Sequence, residues 1–278
     1  MPSSISRRGF VRLAAGSLAG LVAAAPLAGC AGSATKSGSG TLKVGVRNDI
    51  SGFGYFNEMT QTYSGLEIDI AREMATRIGY ADIECTAVTP DNRKDTLLNG
   101  EVDCLVACYS VSDSREKNFD FSPVYYTDSV VMLAETSSLI TKLADLKGLT
   151  IGTMSGANTA PQLASTLAEK GFTNGEVVSA NEDNSDVTFD TWHLLQFESY
   201  QALSDALEAG TIDAMALDGA IAKGYLDSTR TQLEDFSIED QGYAVATNKD
   251  SDLTAKVADA IQAMLDDGTI AGLIDKWD

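Results

Sequence analysis

The stretch "LLNGEVDCLVACYSVSDSR", residues 97–115, leaves a helix through a glycine, enters an apolar run and ends in a polar segment closed by an arginine. Glycine just past the last turn is a common helix stop. Val102 to Ala107 is nearly all apolar, as a strand covered on both faces of a parallel sheet should be. The same succession returns in "LEAGTIDAMAL", 207–217, with the glycine and the hydrophobic-Asp pair in corresponding places. Working outward, Leu42 to Val46 and Asp82 to Val88 read as strands, and Leu66, Ile70, Met74 and Ile78 recur every four residues beside Ala71 and Ala75, which predicts an amphipathic helix. Pro90 opens a short helix that Gly100 ends. The alternation continues with a strand at 149–153, a helix at 160–170, a strand at 176–180, a helix at 199–208 and a strand at 212–217. Such a pattern predicts an α/β fold of two lobes. The polar, acidic "SANEDNSDVTFDTW", 179–192, reads as a long surface loop between strands of the second lobe.

The first thirty residues read as an address rather than as fold. Ser6-Arg7-Arg8-Gly9-Phe10 precedes an Ala/Gly/Leu-rich stretch, 13–28, which holds two glycines and Pro26 and is shorter than the ~20 apolar residues a bilayer core needs. The twin arginine resembles a Tat export signal, and Leu27-Ala28-Gly29-Cys30 resembles a lipobox, which implies cleavage after 29 and a lipid on Cys30. Residues 30–40, rich in Gly, Ser and Ala, read as a flexible tether. The chain carries 40 acidic and 20 basic residues, a net charge of −20, and loss of Arg7, Arg8 and Arg12 with the leader deepens it. That charge repels nucleic acid and anionic lipid. No further long apolar run follows.

Cys85, Cys104 and Cys108 follow Cys30. Cys104 and Cys108 lie four apart on one expected strand, roughly 13 Å, too far to bridge. Cys85 with Cys104 remains open as a disulfide. His193, the single histidine, has no cysteine or histidine at metal spacing and reads as a surface or cleft-rim residue, with no metal and no cofactor expected.

Ligands of open parallel sheets bind beyond the carboxyl ends of the strands. Those positions hold Arg47, Asn48, Phe53, Tyr55 and Phe56 after the first strand, Pro90 to Arg93 after the second and Cys108 to Arg115 after the third. In the second lobe they hold Gly156-Ala157-Asn158-Thr159 and Asp218. Arg115 offers a planar fork for a carboxylate, with Ser110 and Ser112 beside it. On residues alone Arg115 can equally bridge to Asp120, Arg93 can pair with Asp91 or Asp95, and Gly156 to Thr159 can be a mere helix cap. An acid at Asp218 facing arginines suits a small zwitterion.

The stretches "GLEIDIAREMATRIG" (65–79), "NGEVDCLVACYSVSDSREKNFDFSPVYY" (99–126), "LADLKGLTIGTMSGANT" (143–159), "ALEAGTIDAMALD" (206–218) and "DDGTIAGLIDKW" (266–277) carry a resemblance over 41–278 to the polar amino-acid family of periplasmic solute-binding proteins that feed ABC importers. The resemblance implies the type II periplasmic-binding-protein fold. Lobe 1 is expected at 41–134 plus 241–278 and lobe 2 at 135–240, with crossovers near 132–136 and 238–243. It implies that Arg115, Ser110 and Thr159 hold an α-carboxylate, that the Cys108 carbonyl and Asp218 take the ammonium, and that Arg47, Arg93 and Tyr200 face the ligand side chain. Two departures stand out: Ser112-Asp113 replaces the family's usual threonine-proline, and Asn158 stands where threonine is common. Two extra arginines imply glutamate or aspartate, with glutamine or cystine as the alternative. The implied protein is a monomer, lipid-anchored on the extracytoplasmic face, whose partner is an ABC permease. A few relatives of the fold are dehydratases, for which Glu58 and His193 are the candidate acids.

Overall fold

The computed structural model describes residues 39–278. The expected leader, the lipid-bearing Cys30 and nearly all of the tether lie outside the described residues. The first lobe begins with β1 (Thr41–Val46), β2 (Asp49–Ile50), β3 (Gly54–Asn57), β4 (Thr62–Ser64), α1 (Leu66–Arg77), β5 (Asp82–Ala87), α2 (Arg93–Leu98), β6 (Cys104–Val106), α3 (Asp113–Glu116) and β7 (Phe119–Phe121). The second holds β8 (Tyr126–Glu135), β9 (Thr150–Met154), α4 (Thr159–Glu169), β10 (Val177–Ala180), β11 (Asp186–Phe189), β12 (His193–Phe197), α5 (Tyr200–Glu208), β13 (Ala214–Asp218), α6 (Gly219–Ala222) and β14 (Arg230–Tyr243). The chain then returns to the first through β15 (Ala246–Asn248), α7 (Thr254–Asp266) and α8 (Thr269–Trp277).

The first sheet has the order β5-β1-β6-β15-β7, with β1 parallel to β5 and β6, and β15 antiparallel to β6 and β7. On one face α1, α7 and α8 bring Ile70, Met74, Ile261, Met264 and Ile270 onto Leu42 and Val44. On the other, Leu97, Val102, Leu105 and Phe119 pack together. The second sheet runs β10-β11-β12-β9-β13-β8-β14. It is parallel only at its centre, where β9 lies between β12 and β13.

Two expectations are corrected by this topology. The strand beside β9 is 193–197, not 176–180, and the expected loop over 179–192 contains β11 within an antiparallel meander of β10, β11 and β12. Asp183 caps the tight turn by accepting from the N–H and hydroxyl of Ser185, and Asn184 takes the positive φ the turn requires. The β-branched Val177 and Val178 signalled a strand correctly, but one on the exposed edge of the sheet. Secondly, the exchange between sheets lies at 122–125 and 243–245, earlier on the first pass and later on the second than expected. The reason is register: β8 and β14 pair antiparallel from Tyr126↔Tyr243 to Glu135↔Arg230, so the whole of 126–135 is spent in the second sheet. The two crossing segments are themselves tied, by Ser122 N–H to the Val245 carbonyl at 2.9 Å and Val245 N–H to the Ser122 hydroxyl at 3.0 Å.

Cys85, Cys104 and Cys108 are free thiols. Val44 of the intervening strand pairs with Cys85 on one side and Cys104 on the other, which puts those two about 10 Å apart, two strand spacings, and removes the disulfide left open by the sequence. Among the described residues no helix is long and apolar enough to cross a membrane, and no cluster of metal-ligating side chains occurs.

Candidate functional site

β1, β6, β9 and β13 all end at the same mouth between the lobes. Arg47 directly follows β1 and is buried; its Nε and Nη2 donate to Asp49 at 3.0 and 2.7 Å, and its guanidinium lies 5.5 Å from the Tyr200 ring centroid. Asp49 is a partner the sequence reading did not single out.

Arg93 opens α2 but does not pair with Asp91 or Asp95. Its side chain is buried, and Nη1 donates to the carbonyls of Ala107 at 2.7 Å and Cys108 at 3.3 Å. Its Nε is buried without a partner. Arg115, from α3, gives Nη1 to the Ser110 carbonyl at 2.7 Å and the Ser110 hydroxyl at 2.8 Å. Asp120 is taken by Lys249 at 2.7 Å instead. Arg93 and Arg115 stand 4.6 and 4.3 Å from the centroid of the Tyr109 ring, so one aromatic ring lies against both. Burial and then the neighbouring Arg93 push Arg115 down to about 10, and burial and then Arg47 lower Arg93. No carboxylate among the described residues bridges to either.

Across the mouth, Asp218 ends β13 and is buried. Its Oδ2 accepts the Tyr243 hydroxyl at 2.6 Å, and the same hydroxyl lies 3.1 Å from Asp128. Burial pushes Asp218 up to about 6, with the Tyr243 hydrogen bond opposing, Asp128 adding to the rise, and Arg93 and Arg115 resisting it. Asp128 is raised by burial, against the backbone donors Ala220 and Ser129. Phe53 stands edge-on to Tyr126 at 5.0 Å and to Tyr243 at 6.3 Å, which makes an aromatic wall.

Arg47, Arg93, Cys108, Arg115, Tyr200 and Asp218 therefore form one electrostatically connected group, with Phe53 and Ser110 beside it. Thr159, first residue of α4, is buried at the mouth of β9. Gly156 serves the approach of the lobes: its φ is +68°, and a Cβ there would lie 2.5 Å from Asp91 Oδ1 and 2.6 Å from the Pro90 carbonyl carbon. Beside it, the Ser155 hydroxyl donates to Asp91 at 2.8 Å. A hollow of about 290 Å³, bordered by Asp91, Lys94, Tyr109, Arg115 and Gly156, lies at this seam. Two predicted residues make no side-chain hydrogen bond to this group. Ser112 turns its hydroxyl to Ser114 at 3.2 Å, and Asn158, at the N-cap of α4, makes no side-chain cap bond.

Sequence reasoning missed Tyr109, Asp128, Tyr243 and Glu67. Glu67 carries a signal: it precedes Ala71 by four residues and Met74 by seven, and so falls on the buried face of α1.

Several proteins of similar sequence or fold are named for the amino acids they bind. A glutamine-binding protein of Geobacillus stearothermophilus is 31% identical over 188 residues, 66% of this chain but only 63% of that protein. The arginine-binding extracellular protein ArtP of Bacillus subtilis is 29% identical over 257 residues, 90% of each chain. The glutamate-binding protein GluB of Corynebacterium efficiens is 26% identical over 286 residues, covering 95% of this chain and 89% of that one. Among solved structures, an ancestral arginine-binding protein bound to arginine superposes with a TM-score of 0.70 at 24% identity over 86% of this chain and 98% of that one, a likeness of fold alone. Since the model of one family matches residues 42–278, and so takes in both lobes and every residue of the mouth, the chain belongs to the bacterial extracellular solute-binding proteins, family 3.

Proposed function

We propose that this protein captures a polar amino acid with an acidic side chain, glutamate or aspartate, outside the cytoplasm, and delivers it to an ABC importer while held to the membrane by a lipid on Cys30. The carrying observation is that Arg93, buried, and Arg115, half-buried, stand around one Tyr109 ring with no carboxylate bridging to them among the described residues. A buried charge left without a counter-charge costs several kcal/mol and a half-buried one less, and a ligand with two carboxylates offers a partner to each. Arg115 with Ser110 takes the α-carboxylate, Asp218 takes the ammonium, and Arg93 takes the second carboxylate. The motif at 27–30 supports the anchor and Arg7-Arg8 the Tat route.

Calorimetry of wild type, Arg93→Ala and Arg115→Ala against glutamate, aspartate and glutamine tests the assignment. Arg115→Ala should abolish binding of all three. Arg93→Ala should weaken glutamate by about 2 to 5 kcal/mol and glutamine by less. Equal losses for glutamate and glutamine would reduce Arg93 to a prop of the fold.

A second reading, a ligand with a neutral polar side chain such as glutamine or cystine, is favoured by one observation: the Arg47 fork is already occupied by Asp49. Glutamine binding ahead of glutamate in wild type would establish it. The dehydratase alternative gains nothing comparable. His193 pairs with Thr150 at the start of β9, far from the mouth, and bonds to Asp186 at 2.7 Å, while Glu58 sits in an exposed turn.

A further inference from the structure

A further carboxylate, wholly buried, lies under the mouth, and the ligand contacts proposed above make no use of it. It belongs to Glu67, second residue of α1. Its Oε1 accepts the Cys108 backbone N–H at 2.6 Å and the Tyr125 hydroxyl at 2.5 Å, and its Oε2 faces the Cys108 thiol at 3.6 Å. Both polar groups of residue 108 that point inward therefore end on one side chain. Cys108 itself has φ +45°, a conformation that residues with a Cβ adopt at an energetic cost. In that conformation its carbonyl, with that of Ala107, meets Arg93 Nη1. An apolar residue in place of Glu67 would fill the same space without burying a carboxylate, so packing alone does not account for an acid here.

We infer that Glu67 is a positioning residue for the cleft: by holding the Cys108 N–H it keeps residue 108 left-handed, and so fixes the carbonyl offered to the ligand ammonium and the orientation of the Arg93 fork. The inference rests on the amino-acid reading above. Glu67 itself touches no ligand. Because one acceptor oxygen takes both the N–H and the phenol, an amide oxygen should serve nearly as well as a carboxylate. An apolar chain of similar length should not.

The test compares Glu67→Gln, Glu67→Met, Cys108→Gly and the double variant Glu67→Met/Cys108→Gly in the full chain. Affinity for glutamate, aspartate and glutamine is measured by calorimetry, and exchange of the Cys108 amide by hydrogen–deuterium exchange without ligand. Glu67→Met should weaken the preferred amino acid roughly tenfold or more, as expected when a buried N–H loses its acceptor. Its Cys108 amide should exchange faster, while the amides in the middle of α1 stay protected. Glu67→Gln should hold affinity within about threefold, which also shows that the fold tolerates substitution here. Glycine adopts positive φ without strain, so the double variant should bind within about threefold of Cys108→Gly alone. A Glu67→Met protein with wild-type affinity, an unchanged Cys108 amide, or a double variant as weak as Glu67→Met would each overturn the inference. Wild type binding none of the three, nor any other amino acid, is a distinct outcome that overturns the functional reading and the positioning role with it.

Discussion

Asp218 is the residue whose chemistry divides stability from binding. The phenol of Tyr243 has one proton to give, and it lies nearer Asp218 than Asp128, so a buried and a half-buried carboxylate compete for it. Asp218 is pushed up to about 6 by burial, against about 4 for an aspartate in an unfolded chain. Between those values the folded, ligand-free protein holds a proton that the unfolded chain has released. Its contribution to stability therefore rises as pH falls through that window, and its ionisation cost is complete above it. A gap of about two units corresponds to ~3 kcal/mol. Asp218→Asn is accordingly expected to stabilise the ligand-free protein at pH 7.5 by about 1 to 3 kcal/mol and to flatten the pH dependence of its melting between about 4 and 6. On the proposed assignment of the ammonium to Asp218, the same change should weaken amino-acid binding, because that contact needs the ionised form. In wild type, affinity should decline as pH drops below about 6, with a proton released on binding in that region. Melting curves and calorimetry in two buffers of different ionisation heat check both. A pH-independent affinity between 5 and 7 would remove Asp218 from the ammonium site.

Elements were legible where periodicity alone decides them. α1 spans 66–77, as the recurrence of Leu66, Ile70 and Met74 requires, and α4, α5 and β13 fall within two residues of expectation. The arginines and Asp218, whose ligand contacts are proposals, were singled out because they lie at or beyond strand ends, where open α/β sheets take their ligands. Tyr243 was not, because it terminates an antiparallel strand whose register exists only in three dimensions. The β10–β12 meander was hidden by its polar composition: among 177–189 only Val187 is buried, so no apolar alternation marks the strands. The turn into α4 holds a glycine with a packing reason that its sequence position did not reveal. Gly156 was expected among the ligand contacts, and the crowding against Pro90 and Asp91 also makes it a point where the lobes touch. Gly156→Ala should hold the lobes apart and weaken binding by about tenfold or more, while the ligand-free protein loses only about 1 kcal/mol from the strained φ. Melting temperature with and without ligand, together with Kd, separates the two effects.

At the scale of the molecule, Ser155–Asp91, Arg47 over Tyr200 and Lys223–Asp278 at 2.8 Å all span the mouth, so the lobes are in a closed arrangement. A ligand that contacts both lobes favours such a state by its differential contacts. X-ray scattering should therefore show a smaller radius of gyration with saturating glutamate or aspartate than without; identical radii would count against closure on binding. Lys223 and Asp278 are both largely exposed, so Lys223→Ala is expected to change affinity by less than about threefold at physiological salt. The parallel strands that flank β1 have a consequence of another kind. With Cys85 and Cys104 held apart by Val44, no covalent cross-link contributes to the described fold, and reductant should leave its melting temperature unchanged. The two lobes can then reach their final form in a reducing compartment as readily as in an oxidising one, so maturation need not wait for the chain to leave the cytoplasm.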